Sequence, residues 1–507
     1  MTTAARIRGE EQPGFIDILI NWLSHQQWFP TPRRRRSLTR VGGLRLPTPE
    51  GDPDPGLFLE LHIFELELPE GSDDSVARIS VPVVLRTRPS ALAGKSAFIG
   101  KLAVEEGEEL WVYDGARDRA FLAAILEMAR RRQGTRNGRS RGEALAGFEQ
   151  WEPFTLDLRR QAVESTLPDA TRTLVQPAGV AEDGDWDLKV VVDFLRRPAV
   201  EPVDLSEALL RLTTAHSTAI PRVLGTVAGA WEERLPGQDW ASAEWETGQL
   251  VVIREAGAEA PDALSLARSA LQAGKTFKKS ARALGETLGD FHADLAGSFG
   301  SHPQTAEQLK AMAAEAQQQL LGQWKKVREE FDEDEAADLN EVIDLMAMQL
   351  RDADESLMLQ HIHGQLTAER LHRLNRERWV VSEVGGFAEH VLGFQDVIST
   401  LMSLANMVME VASETPEIIQ DSERAVGEES SEVTEDNPSA PDPVNFGQWY
   451  EELSSLFLEG YRSSDAESSG VDSVFFRAAM LTEALELFSR WQGQWVFRPS
   501  MLLQAEN

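Results

Sequence analysis

The hydrophobic pattern of this 507-residue chain changes character near residues 250–260. Before this point, short runs of alternating or continuous apolar residues predict β-strands with scattered helices. Beyond it, apolar residues recur three and four positions apart on segments with charged faces, which predicts long helices. These helices are expected over about 262–298, 304–331 and 334–354. The sequence therefore predicts an α+β protein with a β-rich N-terminal part and a largely helical C-terminal part.

Shorter elements are predicted in the N-terminal part. Apolar residues at helical spacing predict a helix over about 15–27. The runs 57–66 and 77–85 are typical of antiparallel strands, because turn-forming Pro, Gly, Ser and Asp residues separate them at 69–74. Another helix is expected over about 117–132.

Near the C-terminus, the segment from about 413 to 442 is rich in Ser, Glu, Asp and Pro and has few apolar residues. Such a segment cannot bury enough surface to offset the entropy lost on ordering, so it is predicted to be a disordered acidic insertion. Helices over about 447–461 and 474–491 are expected to close the chain.

Composition limits the classes of function. A formal net charge of −33 disfavours binding to nucleic acid or to anionic membranes, because the summed charge repels phosphate groups. The chain has no cysteine, which excludes disulfides, thiolate nucleophiles and Cys-ligated metals. No uninterrupted apolar run reaches the length of a membrane span, and no apolar segment follows the first charges. A cytoplasmic protein is therefore expected.

Two basic runs stand against this acidic background, at Arg33–Arg36 and from Arg130 to Arg141. Basic runs bind nucleic acid or anionic ligands in some proteins. In a chain this acidic, they are expected to be solvated or to form ion pairs within the molecule.

Four segments carry a family resemblance in the same order along the chain. They are WLSHQQWF at 22–29, WVYDGA at 111–116, LGETLGDFH at 284–292, and HIHGQL at 361–366 followed by WVVSEVGG at 379–386. They resemble bacterial maltokinases, which are relatives of the aminoglycoside phosphotransferases and, more distantly, of protein kinases. Asp396-Val397 and the segments FLEGY at 457–461 and TEALE at 482–486 resemble the tail of the same kinases.

The resemblance implies a bilobal, protein-kinase-like fold with its ligand in the cleft between the lobes. The implied parts are a maltokinase-like N-terminal cap at 1–105, an intermediate region with the kinase-like N-lobe at 106–255, and a helical C-lobe at 256–507. The implied activity is ATP-dependent phosphorylation of a sugar.

The same resemblance indicates where catalytic residues should stand. In such kinases the Asp of an H-G-D motif is the base, but here that position, after His363-Gly364, is Gln365. A carboxamide cannot take a proton near neutral pH. A magnesium-binding Gln position holds Arg370, whose fixed positive charge repels the metal. The directly metal-binding Asp position holds Glu383, which keeps a carboxylate, whereas the acidic pair that follows it is missing.

The nucleotide-binding lysine position is also changed. KVVVDFLRR at 189–197 resembles the strand whose Lys pairs with the nucleotide phosphates, and the aligned residue is Asp193. A negative charge there repels a triphosphate. Lys189 lies on the same face of the strand but about 13 Å away, so it is a poor substitute.

Three hypotheses follow. The first is a pseudokinase with impaired ATP and Mg²⁺ handling that binds a sugar or regulates another protein of sugar or glycan metabolism. The second is an active kinase of maltose or an aminosugar that uses ATP and Mg²⁺, with His363, His361 or Glu383 as a rerouted base. The third is an interaction scaffold whose acidic segment recruits a basic partner.

His361 and His363 alternate and His372 follows further on, a spacing that suggests a metal cluster. No third ligand is convincingly placed, so structural roles are expected for these histidines.

Overall fold

The computed structural model describes residues 13–29, 38–67, 76–90, 93, 97–104, 108–165, 169–180, 186–200, 204–233, 244–382, 388–414, 445–464 and 470–491. They form two compact units. The first comprises Met1–His216 and Pro221–Glu259, and the second Ser217–Ile220 and Ala260–Asn507. The predicted acidic insertion lies outside the described residues except for its first two positions, which end a helix.

The first unit is built around one antiparallel sheet. Within the described residues its strands are β1 (Leu38–Leu46), β2 (Phe58–Glu67), β3 (Val76–Arg86), β4 (Phe98–Ala103), β5 (Glu109–Asp114), β6 (Arg141–Ala144), β7 (Arg159–Val163), β8 (Ala170–Gln176), β9 (Val190–Ala199), β10 (Val223–Glu233) and β11 (Glu244–Glu255). Their order is β4-β5-β3-β2-β1-β10-β11-β9-β8-β7, with β6 paired to β10. The strands predicted at 57–66 and 77–85 are confirmed as β2 and β3.

In the described part of the first unit, the sheet is accompanied by the helices α1 (Phe15–Leu23), α2 (Arg119–Arg130) and α3 (Asp204–Thr214). Helix α2 lies in the main core of the unit, where its alanines and its larger residues Phe121, Leu122 and Leu126 are fully buried. Asp118 starts α2 by accepting hydrogen bonds from the amides of Ala120 and Phe121 at 2.8 and 3.3 Å. Such capping satisfies amides that have no partner within the helix.

A buried ion pair in the first unit connects β9 with β5, two strands that lie near opposite ends of the strand order. Arg196 on β9 donates to both oxygens of Asp114, at the end of β5, over 3.2–3.3 Å. The same guanidinium lies 4.8 Å from the ring centroid of Trp28. Burial lowers the pKa of Arg196, and the charge of Asp114 opposes that shift. The resembling segments at 22–29, 111–116 and 189–197 therefore meet around one buried arginine.

The second unit is mainly helical. Its helices in the described ranges are α4 (Ala263–Gln272), α5 (Lys278–Phe299), α6 (Ala306–Val327), α7 (Glu333–Arg351), α8 (Phe394–Glu414), α9 (Phe446–Arg462) and α10 (Val474–Arg490). Short strands β12 (Ser301–Pro303), β13 (Met358–Ile362) and β16 (Ala388–Leu392) form one small sheet, and β14 (Leu371–Arg373) pairs with β15 (Trp379–Val381). The predicted α+β class, with strands first and helices later, is confirmed.

One predicted helix is wrong in extent. The segment 262–298 forms two helices, because α4 ends at Gln272 and the chain turns at Gly274, where φ is +63°. The amide of Gly274 donates to Leu271 and that of Lys275 to Ala270, over 3.0 and 2.8 Å. This pattern is a Schellman motif, which ends a helix with a left-handed residue that glycine adopts readily. The divisions predicted at 105/106 and 255/256 stay predictions.

The basic run from Arg130 to Arg141 is held by ion pairs. Arg130 and Arg131 both contact Glu127 at 2.7 Å, and Arg132 lies 3.6 Å from Glu149. These three arginines therefore form ion pairs within the first unit, as expected. Arg33–Arg36 lie outside the described residues. No helix in the described part of the chain has the length and apolar character needed to cross a bilayer.

Helices α5 and α9 pack so closely that glycine is required between them. A Cβ atom on Gly285 would lie 1.9 Å from the carbonyl oxygen of Phe457. We expect Gly285→Ala to destabilise the protein by about 1–3 kcal/mol or more, because backbone atoms would have to move apart. Gly297 lies on the same helix, and a Cβ atom added there would meet no other atom within 4 Å, so Gly297→Ala should stabilise by about 0.5–1 kcal/mol. Urea unfolding of both variants measures the difference, and equal effects would show that the close approach is absent.

Candidate functional site

The turn that carries Gln365 is anchored by one buried carboxylate. Asp396 lies in the first turn of α8 and is fully buried. Its Oδ2 accepts the amide hydrogen of His363 at 2.8 Å, and its Oδ1 accepts that of Gly364 at 2.9 Å. Two charge-assisted hydrogen bonds to consecutive amides determine the path of the backbone through the turn.

Helices α5 and α9 complete this anchor. His292 on α5 places Nε2 3.2 Å from Oδ2 of Asp396 and Nδ1 2.8 Å from the hydroxyl oxygen of Tyr461 on α9. His292 and Tyr461 are both buried. Because an imidazole that donates through one nitrogen accepts through the other, the three groups form a continuous chain of hydrogen bonds.

The conformation of the turn also depends on glycine. Gly364 has φ +82°, a left-handed conformation that costs other residues free energy. Thr400, one turn after Asp396 on α8, donates from its hydroxyl to the carbonyl of Asp396 at 2.8 Å and lies 3.3 Å from that of Leu366. The resembling segments at 284–292, 361–366, 396–397 and 457–461 thus come together around one turn.

Gln365 and His363 differ in their surroundings. Gln365 is exposed at the tip of the turn, whereas only 5% of His363 is exposed. An exposed carboxamide can donate and accept hydrogen bonds but has no basicity near neutral pH. The position that the sequence resemblance aligns with a catalytic base is therefore exposed but carries no basic group.

The backbone of Arg370 is hydrogen-bonded to Ser382, the residue before Glu383. Arg370 ends a short 3₁₀ turn before β14, and its carbonyl accepts the amide hydrogen of Ser382 at 2.8 Å. Ser382 immediately precedes Glu383, so Arg370 lies beside the start of the segment that carries Glu383. Glu383 itself lies outside the described residues, and its role as a metal ligand stays a prediction.

Asp193, which the sequence resemblance aligns with a nucleotide-binding lysine, contacts two arginines in the first unit. It is fully buried in the middle of β9, directly opposite Arg172 of β8. Arg172 Nε donates to its Oδ1 at 2.8 Å, and Arg254 of β11 donates to its Oδ2 at 2.9 Å. Arg172 also lies 3.5 Å from Glu259.

The formal charges of this cluster cancel, because two guanidiniums face two carboxylates. Buried charges of this kind are stable only when they are paired and hydrogen-bonded. The cluster therefore offers no excess positive charge to a triphosphate. Sequence reasoning located Asp193 but missed Arg172 and Arg254, which stand on other strands where no alternating pattern or motif marks them.

Lys189 has a different environment from Asp193. It precedes β9 and is buried, with Nζ 3.7 Å from the ring centroid of Trp186. Stacking of an ammonium on an indole is a favourable cation–π interaction. The predicted role of Lys189 as a substitute for the nucleotide lysine stays a prediction.

The histidine trio suggested by sequence spacing takes separate roles. His372 Nδ1 lies 2.8 Å from the carbonyl oxygen of Ala260, and the amide of His363 is bound to Asp396. Among the residues that the structure describes, no group of three or more His, Asp or Glu side chains is arranged to hold a metal ion.

Asp193 should be essential to the stability of the first unit. Asp193→Ala leaves two arginines facing one another without their shared carboxylate, and we expect a loss of about 3–5 kcal/mol. Glu109→Gln removes the exposed pair with Lys101, whose side chains are 54% and 42% exposed, and should cost less than about 1 kcal/mol. Chemical unfolding compares the two variants. A loss for Asp193→Ala as small as the control's would show that the cluster is not a buried ion pair.

Asp396 should likewise stabilise the second unit. Asp396→Ala leaves the amides of His363 and Gly364 buried without an acceptor, and we expect a loss of about 2–4 kcal/mol, since each buried unpaired group costs about 1–3 kcal/mol. Asp396→Asn retains one carbonyl oxygen and should lose less. Thermal unfolding ranks the variants, and equal stabilities of Ala, Asn and the parent chain would contradict the anchor.

Comparisons with known proteins agree with the cap resemblance. Residues 22–118 match the family model described as the maltokinase N-terminal cap domain. No curated protein matches the chain. Among solved structures, a glucosamine kinase in complex with glucosamine, ADP and inorganic phosphate is 16% identical with a TM-score of 0.47, covering 97% of this chain and 99% of that one. A second structure of a glucosamine kinase, crystal form A, is 17% identical with a TM-score of 0.47, covering 97% and 98%.

Proposed function

Given that residues 22–118 match the maltokinase N-terminal cap domain, we propose that this protein is a maltokinase-like pseudokinase. In this role it binds a sugar, or regulates another protein of sugar or glycan metabolism, without transferring phosphate from ATP. The observation that carries the proposal is Asp193, buried between Arg172 and Arg254 where related kinases have the nucleotide lysine.

The charge pattern explains why ATP binding is impaired. Phosphoryl transfer depends on a cation at the nucleotide phosphates and on magnesium held by carboxylate or amide ligands. Here the strand position for that cation holds a carboxylate already paired with two arginines. Releasing either arginine for a nucleotide would leave Asp193 buried with less compensation, which is costly.

The turn that carries Gln365 also supports the proposed absence of phosphotransfer. Asp396 and His292 hold the turn in an ordered conformation. The group displayed at its tip is Gln365, which cannot act as a general base. The protein thus retains the support of a kinase turn while lacking its proton acceptor.

The first test is a thermal-shift titration with Mg-ATP. We expect no stabilisation, because a ligand raises the melting temperature only if it binds the folded state in preference to the unfolded one. In parallel, a panel of sugars that includes maltose and glucosamine should show stabilisation by at least one sugar without nucleotide. Stabilisation that grows with Mg-ATP concentration would contradict the proposal.

The second test restores the base alone. Gln365→Asp introduces a carboxylate at the tip of the turn, and Gln365→Asn is its uncharged control. We expect neither variant to phosphorylate any sugar in the panel, because Asp193 still occupies the nucleotide-lysine position. Loss of a base costs about 10²–10⁴-fold, so activity recovered in Gln365→Asp but not in Gln365→Asn would show that nucleotide handling is intact.

A further inference from the structure

Three histidines converge on the small sheet of the second unit, and they are not the trio suggested by sequence spacing. His302 lies on β12, His361 on β13 and His390 on β16. The sheet order β12-β13-β16 brings together residues that are separated by 59 and 29 positions in the chain. This convergence is visible only in the folded structure.

An irregularity in the pairing of β13 with β16 places His390 beside the other two histidines. The register between β13 and β16 shifts between Gln360 and Ile362, so that Glu389 and His390 together face the single residue His361. His390 has φ +58°, a left-handed conformation that is uncommon for a non-glycine residue. Bulges of this kind redirect side chains and occur near functional sites, as do strained backbone conformations.

The imidazole rings lie close to one another. The ring centroids of His302 and His390 are 4.7 Å apart, and those of His361 and His390 are 6.4 Å apart. Glu389 adds a carboxylate, with Oε1 3.6 Å from Nε2 of His361. The ring of Phe299 packs against that of His361, at a centroid distance of 5.0 Å.

These separations fit a shared metal ion. Zinc binds imidazole nitrogen at about 2.0–2.1 Å in tetrahedral geometry, which places the centroids of two bound rings about 5 Å apart. The two observed centroid distances lie on either side of this value. Imidazole and carboxylate are also the ligand types that borderline divalent metals such as Zn²⁺, Co²⁺ and Ni²⁺ accept.

Rotation of side chains is required before these groups can share an ion. The side chains do not form a ready metal-binding group as they stand. His302, Glu389 and His390 are exposed, and His361 is half-buried with 18% of its side chain exposed. Exposed side chains change rotamer readily, so they can turn toward an ion while His361 and its aromatic support stay in place.

We propose that His302, His361 and His390, together with Glu389, bind one divalent transition metal ion of the zinc class on this sheet. The site lies two residues before the His363–Gln365 turn along β13, and the only residue that it shares with the phosphotransfer hypotheses is His361, one of the bases considered for an active kinase. It therefore stands independently of the proposed pseudokinase function, and neither nucleotide test bears on it.

The test measures metal binding to the tag-free, full-length chain after treatment with a chelator. Titration with Co²⁺, followed by its visible absorption, and competition for Zn²⁺ against a chromophoric chelator should both give one ion per chain. His390→Asn removes a ligand but tolerates the left-handed backbone, and His302→Gln removes an exposed ligand. Each should weaken binding on the order of tenfold or more, since even outer-shell partners of metal ligands contribute 10–100-fold.

His25→Gln is the matched control, because His25 is an exposed histidine in the first unit. It should bind metal as the parent chain does, and circular dichroism should show all three variants folded. The proposal is overturned if the parent chain binds no metal more tightly than His390→Asn does, or if His25→Gln weakens binding equally.

Discussion

The buried carboxylate of Asp396 determines the arrangement of the second unit around its central turn. A carboxylate removed from water must be compensated, and here two backbone amides and an imidazole share that task. Because these partners belong to the turn and to α5, and because His292 also contacts Tyr461 of α9, one charged group joins three helices to the turn. Close packing of α5 against α9 at Gly285 maintains the same arrangement from the other side.

Buried charged groups also connect separate elements of the first unit. Arg196 joins Asp114 and Trp28, and Asp193 joins Arg172 and Arg254. Buried ion pairs add little net stability compared with apolar packing, but removal of one partner is costly. Asp193 therefore cannot be exchanged for lysine without changing its neighbours Arg172 and Arg254.

Local patterns were the reliable part of the sequence reasoning. The strands at β2 and β3, the helices α1 and α2, and the β-to-helix change near residue 260 follow from the periodicity of apolar residues. The single helix predicted over 262–298 was wrong, because Gly274 with its Schellman hydrogen bonds outweighs the continuous periodicity around it. Glycine at the end of one amphipathic helix and within another looks the same in sequence, and only the hydrogen bonds distinguish them.

The sequence by itself determined which side chains stand at the positions that the family resemblance assigns to phosphotransfer: a carboxamide at Gln365, a guanidinium at Arg370 and a carboxylate at Asp193. The chemistry of these groups follows from the side chains, whereas their roles stay predictions. Only the tertiary structure decided which partners those residues have, because Arg172, Arg254, Asp396 and the neighbours of His361 come from distant parts of the chain. Strand pairing and helix packing bring such residues together, and neither is encoded in the spacing of any one motif.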